Sequence, residues 1–320
     1  MKVSGKIALL KRWTKIITGR NRVAIPQGVG KIYSKNEILG YYNDLTGKVN
    51  DDTLLDDQGI PLNLIGNGDL VYFPISIFQY ALGMWDKFLL EKDNSYKNKF
   101  LQLAEWVILN QKNDGSWNCF GPIGYEYFSV SSMGQGEAIS VMLRAYVCNR
   151  DSKWLDATTK AIEFMCLDVE SGGTILHENG KIYLEEYPSI DENLSHPKVT
   201  VLNGWIFSLF GMYDYLQIIE NEKVEEIYLK SIDTLKETLC KYDMGYWTYY
   251  DRSGLIASPA YHNLHVNLLL VLSDLTGEVY FKEIAIKWEQ YPLKKMNVIR
   301  AVYRKIIQKM GESSEGVIIK

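Results

Sequence analysis

Residues 133–167 read MGQGEAISVMLRAYVCNRDSKWLDATTKAIEFMCL, and this stretch decides the fold. Ile139, Met142, Leu143 and Tyr146 recur at spacings of three and four, which lays them on one face of a helix. After the polar turn Asn149-Arg-Asp-Ser152 the spacing returns with Ala157, Ala161, Phe164 and Met165. The stretch is therefore a helical hairpin. Three more flank it, at about 76–112, 200–241 and 261–291, so the unit repeats roughly every sixty residues. Turns within each pair are short and polar, whereas the links between pairs, 113–132, 168–199 and 242–260, are long. The pattern predicts an all-α fold, an (α/α) toroid or barrel of repeated helical hairpins, with minor β structure in the long links. It divides the chain into a basic lead-in over 1–59, an (α/α)-barrel catalytic body over 60–291, and a basic amphipathic helix and tail over 292–320.

An up-down ring places all short turns at one end and all long links at the other. The links hold Asp114-Gly-Ser-Trp117, Tyr125-Glu-Tyr-Phe128, His177-Glu-Asn-Gly180, Glu185-Glu-Tyr-Pro188 and Gly245-Tyr-Trp-Thr-Tyr-Tyr-Asp-Arg252. Loops on a rigid scaffold carry function disproportionately, so the site is expected at that end.

Composition narrows the classes. Among 320 residues, 47% are hydrophobic and 23% charged, as in ordinary globular domains. The excess is aromatic: 22 Tyr, 10 Phe and 8 Trp, which suits wet clefts and sugar grooves as well as core packing. Residues 1–35 hold nine Lys or Arg and no acid, residues 291–320 hold seven and two Glu, and 36–290 carry a net charge of -18. Basic ends on an acidic body point to an anionic membrane surface or a partner, and the acidic body argues against nucleic acid. Solvated helices at both ends are the plain alternative. Cys119, Cys148, Cys166 and Cys240 form no CxxC pair and read as reduced cysteines of a cytoplasmic protein. The basic N-terminus lacks the apolar core of a secretory signal. Val199–Tyr213, fifteen uncharged residues, is too short to span a membrane. The expected location is the cytoplasm, at the inner membrane surface, with a homodimer among the expected assemblies.

Cofactor motifs fail. Met133-Gly-Gln-Gly136 is not GxGxxG and reads as a helix start whose glycines permit close approach of a ligand or helix. No P-loop or GxSxG is present, and His262 and His265 lack the acidic partners of a metal site, so no metal and no cofactor are expected. What remains is Tyr, Glu, Arg and His on the links, a set suited to moving a proton alpha to a carboxylate. A tyrosine beside Arg or Lys would reach its phenolate more easily. Plain readings stand beside these: Tyr187, Tyr250 and Tyr261 as packed rings, Glu186 as a helix cap, Arg144 as a surface ion pair, Trp117 as an aromatic plug.

Four blocks carry a family resemblance. Ser132-Met-Gly-Gln-Gly-Glu-Ala-Ile-Ser-Val-Met-Leu-Arg-Ala-Tyr146 resembles the central helix motif of heparosan D-glucuronyl C5-epimerases. Glu185-Glu-Tyr-Pro188 with Val201-Leu-Asn-Gly-Trp205 resembles the next block, and Thr248-Tyr-Tyr-Asp251, Tyr261-His-Asn-Leu-His265 and Trp288-Glu-Gln-Tyr291 the last. Tyr72-Phe-Pro-Ile-Ser-Ile-Phe-Gln-Tyr80 is similar to its lead-in, so the likeness covers roughly 60–291. It implies an α/α-barrel catalytic domain that inverts C5 of a glucuronate within an anionic polysaccharide or lipid-linked glycan, giving iduronate. It implies Glu186, Tyr187, Tyr250 and Tyr261 as catalytic groups, with Glu186/Tyr187 and Tyr261 on opposing faces of the sugar. The expected substrate contacts are Arg252, Arg144, Gln135, His262, His265, Asn203 and Trp117. The link from Tyr250 to Tyr261 is shorter than in the animal enzymes, which makes Tyr249 the substitute for Tyr250, and the β-rich N-terminal region of those enzymes is not seen in this sequence. A uronate polysaccharide lyase and a non-catalytic glycan-binding module are the competing readings.

Overall fold

A computed structural model describes residues 27–124, 129–189 and 199–310. Its helices are α1 (Pro74–Glu91), α2 (Asn94–Leu109), α3 (Ser132–Asn149), α4 (Lys153–Met165), α5 (Leu202–Leu216), α6 (Glu222–Thr238), α7 (Pro259–Thr276), α8 (Val279–Glu289) and α9 (Lys295–Met310). The first eight form the four expected hairpins. Local chemistry sets their ends. Asp93, Ser131, Asn221 and Ser258 cap α2, α3, α6 and α7 by accepting from backbone N–H groups of the first turn. Pro74 and Pro259 open α1 and α7, where a missing N–H leaves no bond unmade.

The hairpins pack with their first helices inward, α1 on α3, α3 on α5 and α5 on α7, and each second helix outside its partner. Burial follows. α3 is buried from Ser132 through Ala145 and α5 from Leu202 through Met212, all round rather than on one stripe. Gly136 of α3 faces the backbone of Phe207 and Ser208 in α5, so the glycine signal marks helix approach. Among the described residues the series is an open arc: α7 makes no comparable contact with α1.

Residues 27–49 fill the arc at the short-turn end. Tyr41 N donates to Asp86 of α1 (2.8 Å), the Gly40 carbonyl accepts from Arg144 of α3 (2.9 Å), Tyr42 OH donates to Asp214 of α5 (2.7 Å) and Asn267 of α7 donates to the Gln27 carbonyl (3.0 Å). This segment closes the end away from the long links. The inner helices therefore point their N-termini, the positive ends of their dipoles, toward the links.

Two small antiparallel hairpins complete the fold, β1 (Asn63–Leu64) with β2 (Leu70–Val71), and β3 (Ile175–Glu178) with β4 (Lys181–Leu184). Asn179 and Gly180 join the latter pair with φ of 52° and 75°, the two-residue turn that matches strand twist. No helix among the described residues is long and apolar enough to cross a membrane.

Candidate active site

Strand β4 runs straight into Glu185-Glu-Tyr187. Glu185 N donates to the Thr174 carbonyl (2.9 Å), and the Glu185 carbonyl accepts from Ser132 N at the start of α3 (3.1 Å). The two carboxyls then diverge. Glu185 accepts from Thr200 Oγ1 (2.6 Å). Glu186 turns onto the first turn of α5, where a Cβ at Gly204 would collide with its Oε2. The glycine of Val201-Leu-Asn-Gly-Trp205 is thus the space the carboxyl occupies.

Tyr187 hydrogen-bonds to Glu186 and to Tyr250, and Tyr250 hydrogen-bonds to Tyr261. The Tyr250 and Tyr261 rings meet edge to face at 4.8 Å, and Phe120 stacks on Tyr187 at 4.5 Å. Three elements hold this chain together: the β4 exit, the 242–258 link, whose Tyr250 carbonyl accepts from Leu202 N (3.1 Å), and the first turn of α7, where Ser258 caps Tyr261 N. The result is one hydrogen-bonded relay, Glu186–Tyr187–Tyr250–Tyr261, from a 4% exposed carboxyl to a residue 40% exposed.

The electrostatics suit proton exchange. Burial raises Glu186 to about 8, with Glu185 and Asp251 adding to the shift and the Tyr187 hydrogen bond opposing it. Glu186 Oε2 has no hydrogen-bond partner. Burial likewise raises Glu185 to about 7, against the Thr200 bond. Burial of its hydroxyl, then the Glu186 charge, pushes Tyr261 up to about 12, and burial carries Tyr187 and Tyr250 well above the ordinary phenol range. The leading charges on these phenols are acidic, so the expected Arg or Lys neighbour is replaced by a carboxyl able to take a proton near neutral pH.

The expected substrate contacts divide. Asn203 lies beside Gly204 with its Oδ1 buried and unpartnered. Arg252 pairs with Glu178, donates to Thr200 Oγ1 (3.4 Å) and stands over the Tyr183 ring at 4.2 Å, next to a turn that Asp251 closes by accepting from Ser253 N and Leu255 N. Gln135 is fully buried and donates to the Gly115 and Ala161 carbonyls (3.1 and 3.0 Å), which ties the 110–131 link to α4. Trp117 is fully buried, donates to the Val107 carbonyl and packs against Phe78. His262 lies between Thr248 (2.9 Å) and the Trp288 carbonyl (3.1 Å), stacked on Trp247, and burial drops it to about 4. His265 is buried with neither ring nitrogen partnered and falls to about 3.

Arg144 is farthest from the expected role. Twelve residues along α3 from Ser132, it sits ~18 Å from the site end. It is fully buried, in a 2.6 Å ion pair with Asp214 and beneath the Tyr41 and Tyr42 rings. Neither a groove contact nor a surface pair, it ties α3 to α5 and to the 27–49 segment. Tyr249 stays outside the relay, bridged to Ile256. Tyr125, Glu126, Tyr127 and Phe128 lie outside the described residues.

Sequence reasoning gave no individual role to Glu185, Phe120 or Glu137. Glu137 is buried inside the arc, accepts from Gln79 (2.7 Å) and is raised to about 8 by burial, with Lys48 opposing. Its one signal was an acid at helical spacing within an apolar run. Among the described residues no three His, Cys, Asp or Glu side chains group as a metal site.

Residues 125–290 match the family model described as D-glucuronyl C5-epimerase C-terminus. The chain belongs to that family. A D-glucuronyl C5-epimerase of Caenorhabditis elegans is 28% identical over 233 residues, 63% of this chain and 36% of that protein. An uncharacterized protein of Methanocaldococcus jannaschii is 28% identical over 160 residues, 49% of this chain and 50% of that one. The chain thus spans between a third and a half of the length of these relatives. The unsaturated glucuronyl hydrolase of Bacillus sp. GL1 has a TM-score of 0.48 at 15% identity, covering 71% of this chain and 61% of that structure. A polysaccharide lyase structure has a TM-score of 0.43 at 16% identity, covering 69% and 59%.

Proposed function

We propose that this epimerase-family chain is a uronyl C5-epimerase acting on glucuronate within a polysaccharide or lipid-linked glycan and giving iduronate. The observation that carries this reading is the relay Glu186–Tyr187–Tyr250–Tyr261, four proton-bearing groups in hydrogen-bonded sequence at the long-link end of the arc. Inversion at C5 needs one group to remove the proton and another to return one from the opposite face. The two ends of the relay supply them: Tyr187 backed by Glu186, and Tyr261. Tyr250 joins the two. As the C5–H bond breaks, its electron pair moves toward the substrate carboxylate, and Tyr187 takes the proton while passing its own to the ionised form of Glu186, which a value of about 8 makes available near and above neutral pH. Delivery of a proton from Tyr261 restores the C5–H bond with the other hand, and the proton left on Glu186 returns through Tyr187 and Tyr250 to the Tyr261 phenolate. Oxidation state is unchanged throughout, so the step itself needs no redox partner. The inner helices' N-termini favour the negative charge that develops on the carboxylate. The catalytic body in this reading is the 60–291 unit.

Incubation with heparosan and related glucuronate polymers in heavy water tests it. Deuterium at C5 together with iduronate signals by NMR is the expected outcome. A 4,5-unsaturated chromophore, with no deuterium in intact polymer, would instead identify a lyase. Saturable binding without exchange would identify a glycan-binding module.

A further inference from the structure

Helix α9 carries an apolar stripe that no described element covers. Met296, Ile299, Tyr303 and Ile307 recur at spacings of three and four and are 72%, 60%, 64% and 52% exposed. The opposite face, Ala301, Val302 and Lys305, is buried. Residues 295–310 contain five Lys or Arg and no Asp or Glu. At about 100° per residue, Lys295 flanks one edge of the stripe and Arg300 and Arg304 the other. On the arginine side, Arg300 stands over the Tyr246 ring at 4.1 Å and Arg304 donates to the Tyr246 hydroxyl (3.0 Å). Tyr246 in turn lines a cavity of about 290 Å³ with Lys287, Lys294 and Asn297.

We propose that α9 docks the protein on an anionic lipid surface, lying in the interface with Met296, Ile299, Tyr303 and Ile307 in the headgroup–acyl boundary. An exposed apolar stripe with basic edges fits that boundary, where apolar burial and attraction to anionic headgroups act together. The remaining charge enforces the orientation. Residues 36–290 carry a net -18 and are repelled by the same surface, so approach through α9 is favoured over approach through the body. A second copy meeting α9 against α9 would oppose two basic edges. Helix α9 also grips the link that carries Tyr250: Gln308 accepts from Ile256 N and donates to the Gly254 carbonyl, both at 2.9 Å. Docking would therefore bring the long-link end of the arc to the lipid. It does not depend on the reaction assigned to the site.

The test is sedimentation of the full chain with phosphatidylcholine vesicles, with and without about 30% phosphatidylglycerol, at low and high salt. Binding to the anionic vesicles alone is expected, falling at least about tenfold in high salt and about tenfold in Ile299→Ser/Ile307→Ser. These positions are exposed, so the variant should melt like the parent. Arg300→Glu/Arg304→Glu gives a second, charge-based arm. Because the basic residues 1–35 could bind vesicles themselves, unchanged binding by the serine variant overturns the assignment to α9. So does equal binding to neutral vesicles, no binding at all, or a concentration-dependent dimer that the serine substitutions dissolve.

Discussion

At the scale of single residues, one oxygen of Glu186 bonds to a tyrosine and the other has no partner, so neither protonation state is fully satisfied. A buried carboxyl raised to about 8 exchanges its proton readily near neutral pH, the condition that favours general acid–base work. In the proposed reaction Tyr187 links that carboxyl to the substrate. Tyr187→Phe keeps the ring that stacks on Phe120 and removes only the hydroxyl, so turnover should fall by a factor of ~100 or more with little change in KM. Parallel binding and deuterium-exchange assays check this, and undiminished exchange would remove Tyr187 from the mechanism. The relay residues were legible because each lies in a short motif, Glu186, Tyr187 and Tyr250 on links and Tyr261 in the helix turn that follows one. The substrate contacts were less so. Gln135, Trp117 and His262 have the residue types of a glycan groove, and only their partners, backbone carbonyls and packed rings, reveal a structural use. Arg252 follows Tyr250 by two, yet it pairs with Glu178 beside the Asp251 turn, an arrangement that residue types do not announce.

Elements show the same division. Helical periodicity placed the four hairpins within a few residues, because apolar spacing and polar turns are local signals. It could not rank faces on α3, which is buried all round, and so Arg144 looked available. Its pair with Asp214 instead joins two inner helices to residues 27–49. Asp214→Ala would leave a buried guanidinium uncompensated, and urea melts should show a loss of about 3–5 kcal/mol. Whatever protein remains folded should keep its KM, which separates a structural role from substrate binding. The β3–β4 hairpin had its own signal, Asn179-Gly180 between the apolar runs Ile175-Leu176 and Ile182-Tyr-Leu184, which reads as a tight turn once it is looked for. That turn aims the Glu185-Glu-Tyr187 exit. Nothing lies near a Cβ added at Gly180, so Gly180→Val is penalised only for its φ of 75°. About 1–2 kcal/mol of stability should be lost, with a fall in turnover, while Gly180→Asn, which tolerates that backbone, should retain both more closely. Thermal melts and exchange rates compare the two.

Across the whole molecule the arc encloses carboxyls from three separate parts of the sequence. Burial raises Asp86 and Glu185 to about 7, and Glu137 and Glu186 to about 8. In the unfolded chain such groups release their protons near pH 4. Between there and pH 7–8 the native state holds protons that the unfolded state has lost, so rising pH favours unfolding. Two buried histidines act in the opposite sense. His262 and His265, lowered to about 4 and about 3, stay neutral where the unfolded chain takes up protons, so falling pH below about 6.5 favours unfolding. The two effects overlap up to pH ~6.5 and only the carboxyls act above it. Stability should therefore decline from pH ~6.5 to ~8, at about 1.4 kcal/mol per pH unit for each proton fully retained. Melting temperatures across that range check the sign. Glu137→Gln removes one retained proton while preserving shape, and should flatten the decline without abolishing it. A melting temperature that rises over this interval in the parent protein would mean that these carboxyls, Glu186 included, are ionised in the folded state.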